Sequence, residues 1–402
     1  MAGGLIGQAI TLARQRQVVW SLALLATVGY GALYYAQPLL AVAFEDAHGW
    51  SRAQTGLALT LALLLTAGLA PAIGRVLDAG QGGRWLGTGA LLGSLAFGLM
   101  AVTPWYPLFL VAWLLAGVAM GLTFYEAVFT VLGQQVGVSA RRPATLTVTL
   151  IAGLASTIFV PLTTALLGGG GLTAALLGLA GLLLLAGLLV WRVVPGRAPS
   201  APSSVPLAFT PGPLFGRLAL SFTLSRIVTV GVGLQLAPLL LKAGHPPAVA
   251  AGLTGLLGLA ALPGRIVFLP LLNWLGLWPL TLGLLGLMGL GTAALHFASS
   301  TAISAAGIVA FGLASGALTL ARAELIALHY PAGLFGTVNG RLARPVNLAQ
   351  AVTPFGVGLL YTWSGGYTWS LSLLVGLAAL SGWSLIGRGF PQGMGQTDAP
   401  VS

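Results

Sequence analysis

Only 6% of this chain is charged, so an ionisable side chain inside one of its long apolar runs is a candidate for chemistry. Holding a charge at the centre of a membrane-spanning helix costs about 2.5–3.5 kcal/mol on insertion scales, and such groups pair or line a watery cavity. Five stand out: Glu126 in TFYEAVF, Arg226 in TLSRIVT, Arg265 in LPGRIVF, and Arg322 with Glu324 in ARAEL. A carboxyl group desolvated by burial can take up and release a proton, which nominates Glu126 for proton coupling. An ion pair with a bundle arginine is the competing, purely structural reading. Arg226 offers a planar fork that matches a carboxylate or phosphate and stays protonated at any depth. It is the candidate substrate anchor, with pairing to Glu126 as the structural alternative. Arg265 follows Pro263-Gly264, low enough in its span to reach headgroups, and is assigned to gating. Arg322 and Glu324 are two residues apart and share no helix face, so each needs a partner elsewhere and both are placed in a gate.

Neutral polar groups complete the candidate set. Tyr30, Tyr34, Gln37 and Pro38 follow helical spacing and would give the first span a polar rim. Tyr34 and Gln37, with Gln235 and Asn347, are expected to line a substrate cavity, and Gln350 sits one turn from Asn347. His48, His245, His296 and His329 show no ligand spacing, and the chain has no cysteine, so no metal is expected. The run Gly168–Gly171 is not followed by Gly-Lys-Ser or Gly-Lys-Thr, which excludes a phosphate loop of the nucleotide-motor type. No catalytic Ser-His, Cys-His or paired-aspartate arrangement suggests an enzyme, no sizeable soluble domain suggests a receptor, and no cofactor is implied.

The elements that must position these residues are transmembrane helices. With 402 residues, 57% of them hydrophobic, and a mean hydropathy of +0.97, the solvent must be lipid, because a soluble domain carries about a quarter charged residues. In lipid a helix satisfies all its own backbone groups, and roughly 20 residues cross the hydrocarbon. Twelve spans are predicted, near 18–44, 53–77, 85–102, 106–133, 143–167, 172–193, 215–241, 249–274, 278–298, 302–328, 335–361 and 367–386. A short segment, 1–17, precedes them. A Pro/Ser/Gly-rich linker, 195–213, separates a first half (18–194) from a second (214–388), and a tail follows (389–402).

The net charge of +11 comes from 17 basic residues scattered in ones and twos, with no stripe suited to nucleic acid. Connections from odd to even spans contain only Arg52 and Lys242. The other side holds Arg14, Arg16, Arg75, Arg84, Arg141, Arg142, Arg197, Arg341, Arg344 and Arg388. This bias puts both termini in the cytoplasm. The halves also echo each other, Gly74-Arg75-Val76 against Gly264-Arg265-Ile266, as parallel transporter repeats would.

The loop GRVLDAGQGGR, with Gly74, Asp78, Gly82 and Arg84, resembles the signature of the major facilitator superfamily between its second and third helices. It departs by one extra residue in the turn and by Ala79 where a basic residue is usual. GWSRAQTGLALTLALL, TFYEAVF, the Arg141-Arg142 pair followed by ASTIFVPLT, and LPGRIVF are similar to bacterial relatives of monocarboxylate porters. The resemblance implies an all-α integral membrane protein of twelve helices in two pseudo-symmetric halves, a monomer in a bacterial inner membrane. It implies a secondary transporter of a small organic anion such as a monocarboxylate, proton-coupled, rocking between two open states; a multidrug or hydrophobic-solute exporter is the alternative. Gly74, Asp78 and Arg84 would then belong to a gate with Arg265, Arg322, Glu324, Arg341 and Arg344. Asp78 is expected at the start of the eleventh helix, drawn by its free amides and by Arg341 or Arg344.

Overall fold

The computed structural model describes residues 2–102, 104–136, 138–196 and 209–386. The tail 389–402, Arg388 and Arg197 lie outside the described residues, as does the side chain of Arg52. Among the described residues ten stretches are long and apolar enough to cross a membrane. One of these, Ala140–Val193, is 54 residues long and is kinked at Gly171, where φ is +70°. Leu166 on one limb meets Gly178 on the other, so this stretch is a hairpin of two crossings. The remaining long helix is Phe335–Ser364, in which Arg341, Arg344, Asn339, Asn347 and Gln350 interrupt the apolar run.

The twelve crossings are as follows. Helix α1 runs Ala2–Tyr30, passes through a π-helical turn, Gly31–Tyr35, and resumes as Gln37–His48. Helix α2 is Arg52–Asp78 and α3 is Gly82–Val102. Helix α4 is Tyr106–Thr123 continued by Tyr125–Gln135. Helix α5 is Val138–Ala152 with the first limb of Ala155–Val193, and α6 is the second limb. The second half comprises α7 (Pro213–Lys242), α8 (Pro247–Leu275), α9 (Leu277–Ala294), α10 (Thr301–His329), α11 (Phe335–Ser364) and α12 (Thr368–Leu385).

Local chemistry sets the helix ends. Ser51 and Gln54 form a reciprocal capping box on α2, Ser51 Oγ accepting from Gln54 N at 3.3 Å and Gln54 Oε1 accepting from Ser51 N at 2.9 Å. Ser300 caps α10 through Ile303 N. The large side chains left outside, such as Trp274, Phe355, Trp363 and Trp383, would be a liability in water and suit a lipid-facing surface and its aromatic belts.

With an even number of crossings the start of α1 and the end of α12 lie on one side, here called the termini side. Small residues bring helices together where lipid supplies no hydrophobic drive. At the termini-side end α2 packs tightly on α11. A side chain on Gly74 would meet the Gly336 carbonyl at 2.1 Å, and one on Gly340 the Ala70 carbonyl at 2.3 Å. Substantial packing between the halves consists of α2 on α11, the second segment of α4 on α11, and α5 on α8 and α10. Helices α1 and α7 pack extensively only within their own halves. The bundle is therefore closed at its termini side and unlocked between α1 and α7.

Candidate functional site

Three helices of the first half break at comparable depth. In α1 the Ala36 N–H reaches back five residues to the Gly31 carbonyl (2.9 Å), the mark of a π turn, a feature concentrated at functional sites. In α4 Phe124 is extended (φ −82°, ψ 176°), and α5 is interrupted at Gly153–Leu154. Interrupted helices near the midplane are how transporters build sites. Around these breaks Tyr30 stacks on Phe124 with ring centroids 4.0 Å apart and lies 4.8 Å from Tyr125 and 6.5 Å from Tyr35.

The π turn changes which tyrosine shares a face with Tyr30. A regular helix would align Tyr30 with Tyr34, as the spacing predicts. One extra residue in the turn carries that face to Tyr35, which is 36% exposed. Tyr34 instead packs edge-on against Tyr35, centroids 5.4 Å apart, and Gln37 is buried.

Arg226 lies 13 residues into the 30-residue α7, about 20 Å from its start at 1.5 Å per residue. Its Nε donates to Gln350 Oε1 at 2.9 Å and its Nη2 donates to the same oxygen. It does not pair with Glu126, so the structural alternative drawn from the sequence is set aside. Gln350 is a neutral acceptor and leaves the guanidinium charge uncompensated.

Glu126 is paired with Arg322 instead, Oε1 to Nη1 at 3.2 Å. Asn339 of α11 completes the cluster. Its Oδ1 accepts from Arg322 Nη2 at 3.0 Å, and its Nδ2 donates to the Glu126 carbonyl at 3.2 Å. Sequence reasoning missed Asn339; an amide in the first turns of a span was the available signal, and its partners come from other helices. The cluster ties α4 of one half to α10 and α11 of the other. Beside it, between α2, α4 and α11, lies a cavity of about 20 Å³ lined by Glu126, Thr130 and Asn347 among others, room for one water.

Arg265 does not reach for headgroups. It crosses to the first half, where its Nη1 donates to the Thr149 carbonyl at 2.8 Å, an oxygen already accepting from Gly153 N at 2.9 Å. A side chain at Gly153 would lie 1.9 Å from that guanidinium, so the missing Cβ in the α5 break is what admits Arg265. Its Nε is buried and has no partner.

Gln235 does not join this cluster. It is one turn beyond Gly231, whose missing side chain would meet Leu374, so it faces α12. There its side-chain oxygen and nitrogen are buried without partners, as is the hydroxyl of Ser370. Nine residues from Arg226 is two and a half turns at 3.6 residues per turn, which puts Gln235 on the opposite face of α7.

The termini side is held by four further cross-half contacts. Asp78 Oδ1 accepts from Gly336 N at 2.8 Å and Oδ2 from Thr337 N at 2.5 Å, using amides at the α11 N-terminus that have no helical partner. Arg142 pairs with Glu324 at 2.9 Å, and Arg141 lies over the Phe335 ring at 4.3 Å. Arg341, expected near Asp78, donates to the Phe209 carbonyl at 3.2 Å and covers that ring, while Arg344 is exposed. Arg84 bonds within its own turn to Gln81, which with Gly80 takes positive φ. Asp78→Asn should loosen this end. The change removes the charge from two charge-assisted bonds; a loss of about 2 kcal/mol shifts the closed-to-open ratio some thirtyfold. Because the chain has no cysteine, a single cysteine at Ala127 and its maleimide labelling rate from the termini side would read the shift directly.

Among the described residues no group of His, Cys, Asp or Glu could hold a metal. Comparison with known proteins agrees with the architecture. The human organic anion transporter MFSD10 (TETRAN) superposes with a TM-score of 0.76 over 92% of this chain and 99% of its own, at 18% identity. A bacterial homologue of the iron transporter ferroportin, in an outward-facing state, gives 0.75 over 93% and 98%, also at 18% identity. The same homologue with soaked iron gives 0.74. These identities show a shared fold. No curated protein matches the sequence significantly. The family model of the Major Facilitator Superfamily matches residues 19–343. The chain is an all-α, multi-pass membrane protein that belongs to the Major Facilitator Superfamily of transporters.

Proposed function

We propose that this protein is a proton-coupled secondary transporter of small carboxylate anions, of which a monocarboxylate is the simplest, and that Arg226 is the group that binds the carboxylate. The observation that carries this reading is the uncompensated Arg226 at mid-depth, held by the neutral oxygen of Gln350. An exporter of hydrophobic solutes would instead hide such a charge against an acid in an apolar cavity. The organic-anion title of the MFSD10 neighbour is in keeping with it.

The arginine bias along the sequence puts the termini side in the cytoplasm of a bacterial inner membrane, so the conformation described here is outward-facing. The anion enters between α1 and α7, meets Arg226, and packs against Tyr30, Tyr35 and Tyr125. Glu126 supplies coupling because its salt bridge spans the halves. A proton arriving from outside neutralises the carboxylate, releases Arg322, and removes a strut from the closed inner gate. The Asp78 latch and the Arg142–Glu324 pair then open as the halves rock, in a carrier that works as a monomer. Thermal-shift screening of the purified protein against organic acids, with hydrophobic cations and antibiotics in parallel, tests the cargo class. Stabilisation by carboxylates supports the reading, and stabilisation by the hydrophobic set alone would replace it with the exporter.

A further inference from the structure

The cavity beside Glu126 leads towards the termini side. Asn347 stands 12 residues into α11, and Thr66 stands 12 residues before the end of α2, each about 18 Å from the termini-side helix end at 1.5 Å per residue. Glu126 stands nine residues before the end of α4, and its side chain, tilted towards the helix N-terminus, reaches a similar depth. All three line the cavity, which continues between α2, α4 and α11 to Gly74, Leu77 and Gly336 near those helix ends. Its floor is the closed gate. The Gly336 N–H is held by Asp78 at 2.8 Å, and a side chain on Gly74 would strike the Gly336 carbonyl.

A volume of about 20 Å³ admits one water, and a water is held only where it finds two to four polar partners. The walls provide them. Arg322 occupies Glu126 Oε1, which leaves Oε2 as an acceptor. Thr66 and Thr130 donate their hydroxyl hydrogens to the Gly117 and Glu126 carbonyls at 2.7 and 2.8 Å, so each hydroxyl oxygen can accept. Asn347 supplies a donor, because its side-chain amide has no hydrogen-bond partner among the described residues.

The ionisable groups on the helices around Glu126 are Arg322 of α10, Tyr30 of α1, Asp78 of α2, Arg84 of α3, Arg141 of α5, and Arg341 and Arg344 of α11. Among the described residues only Arg322 bonds the carboxylate. Asp78 is held by two α11 amides, Arg84 by Gln81, Arg141 over Phe335 and Arg341 on Phe209. Arg344 is exposed, and Tyr30 is stacked on Phe124. The arginines already carry their protons, so a proton leaving Glu126 on this side has water as its acceptor.

We propose that this cavity is the inward release port for the coupling proton and that Asn347 positions the water that receives it. The inference rests on Glu126 as the coupling group and adds where its proton goes. As the Asp78 latch opens and α2 parts from α11, termini-side water reaches the floor of the cavity. The O–H bond of protonated Glu126 then breaks. Its proton passes to the cavity water, that water gives one up to the water entering below, and the electron pair stays on the carboxylate, which can take Arg322 again. Asn347 is a positioning residue for this transfer and not a contact for the cargo.

The test is infrared difference spectroscopy after a rapid upward pH jump, on the full-length protein in lipid nanodiscs. The Asp78→Asn background favours the open gate, and the Glu126 carboxyl band is identified by its absence in Glu126→Gln. Asn347→Leu should slow the loss of that band at least about tenfold, while Asn347→Ser, which keeps a hydrogen-bonding group on the cavity, should retain most of the rate. Thr130→Val removes another partner of the water with little change of shape; it should also slow the loss, and it serves if Asn347→Leu folds poorly. An unchanged rate in the folded Asn347→Leu and Thr130→Val proteins, or equal slowing in Asn347→Ser and Asn347→Leu, overturns the port and leaves Glu126 as the coupling group. A folded wild-type protein with no titrating Glu126 band overturns both.

Discussion

Arg226→Gln should weaken carboxylate binding at least about a hundredfold while leaving the protein folded. Removing one partner of a buried, hydrogen-bonded charge pair costs about 2–5 kcal/mol, and a hundredfold is about 2.8 kcal/mol. The fold should tolerate the change because Arg226 makes no ion pair. Its described polar partner is Gln350, and a glutamine at 226 can meet that amide with one of its own, leaving no orphaned charge behind. Arg226→Lys should fall between the two, since it keeps the charge and loses the planar fork that engages a carboxylate with two parallel bonds. Titration calorimetry on the purified variants, with melting temperatures as a control, measures both effects. Unchanged affinity in Arg226→Gln would remove this residue from the site.

Glu126→Gln should abolish accumulation driven by a pH gradient and spare exchange across the membrane. The carboxylate is the group in the midplane cluster that can cycle its charge, and the arginine it faces is 15% exposed. Removing one partner of a buried pair typically costs about 3–5 kcal/mol, because the other charge is left unanswered. Here that penalty falls on the closed inner gate, where Glu126 meets Arg322 and Asn339. The variant should therefore populate inward-open conformations, visible as faster labelling of a termini-side cysteine. Adding Arg322→Gln should restore closure without restoring coupling, so the double variant should be far less perturbed than the sum of the singles. Proteoliposome uptake with and without an imposed pH gradient separates coupling from exchange. Gradient-driven accumulation that survives in Glu126→Gln would dismiss this carboxylate as the coupling group.

The membrane architecture was legible because lipid imposes a simple rule on sequence. Apolar runs of about 20 residues recur, each long enough to satisfy its own backbone across the hydrocarbon. Even the polar eleventh span could be placed by its neighbours. The site was legible in its ingredients, and less so in its pairings. That Arg322 and Glu324 needed separate partners followed from helix geometry, yet that these are Glu126 and Arg142 depends on how the two halves dock. The π turn at Gly31–Tyr35 defeated a regular helical period and moved the face shared with Tyr30 from Tyr34 to Tyr35. Polarity alone did not tell which face of α7 Gln235 occupies. Arg265 looked like a snorkelling arginine until the gap left by Gly153, on a different helix of the other half, gave its side chain somewhere to go.

Solute counterflow tests the central claim most directly. Proteoliposomes preloaded with an unlabelled carboxylate that binds the purified protein, then diluted into a trace of the same labelled acid, should show a transient overshoot of label inside, absent from empty liposomes and lost in Arg226→Gln. A label that only equilibrates, without overshoot and at the same rate as in empty liposomes, would contradict a carboxylate carrier.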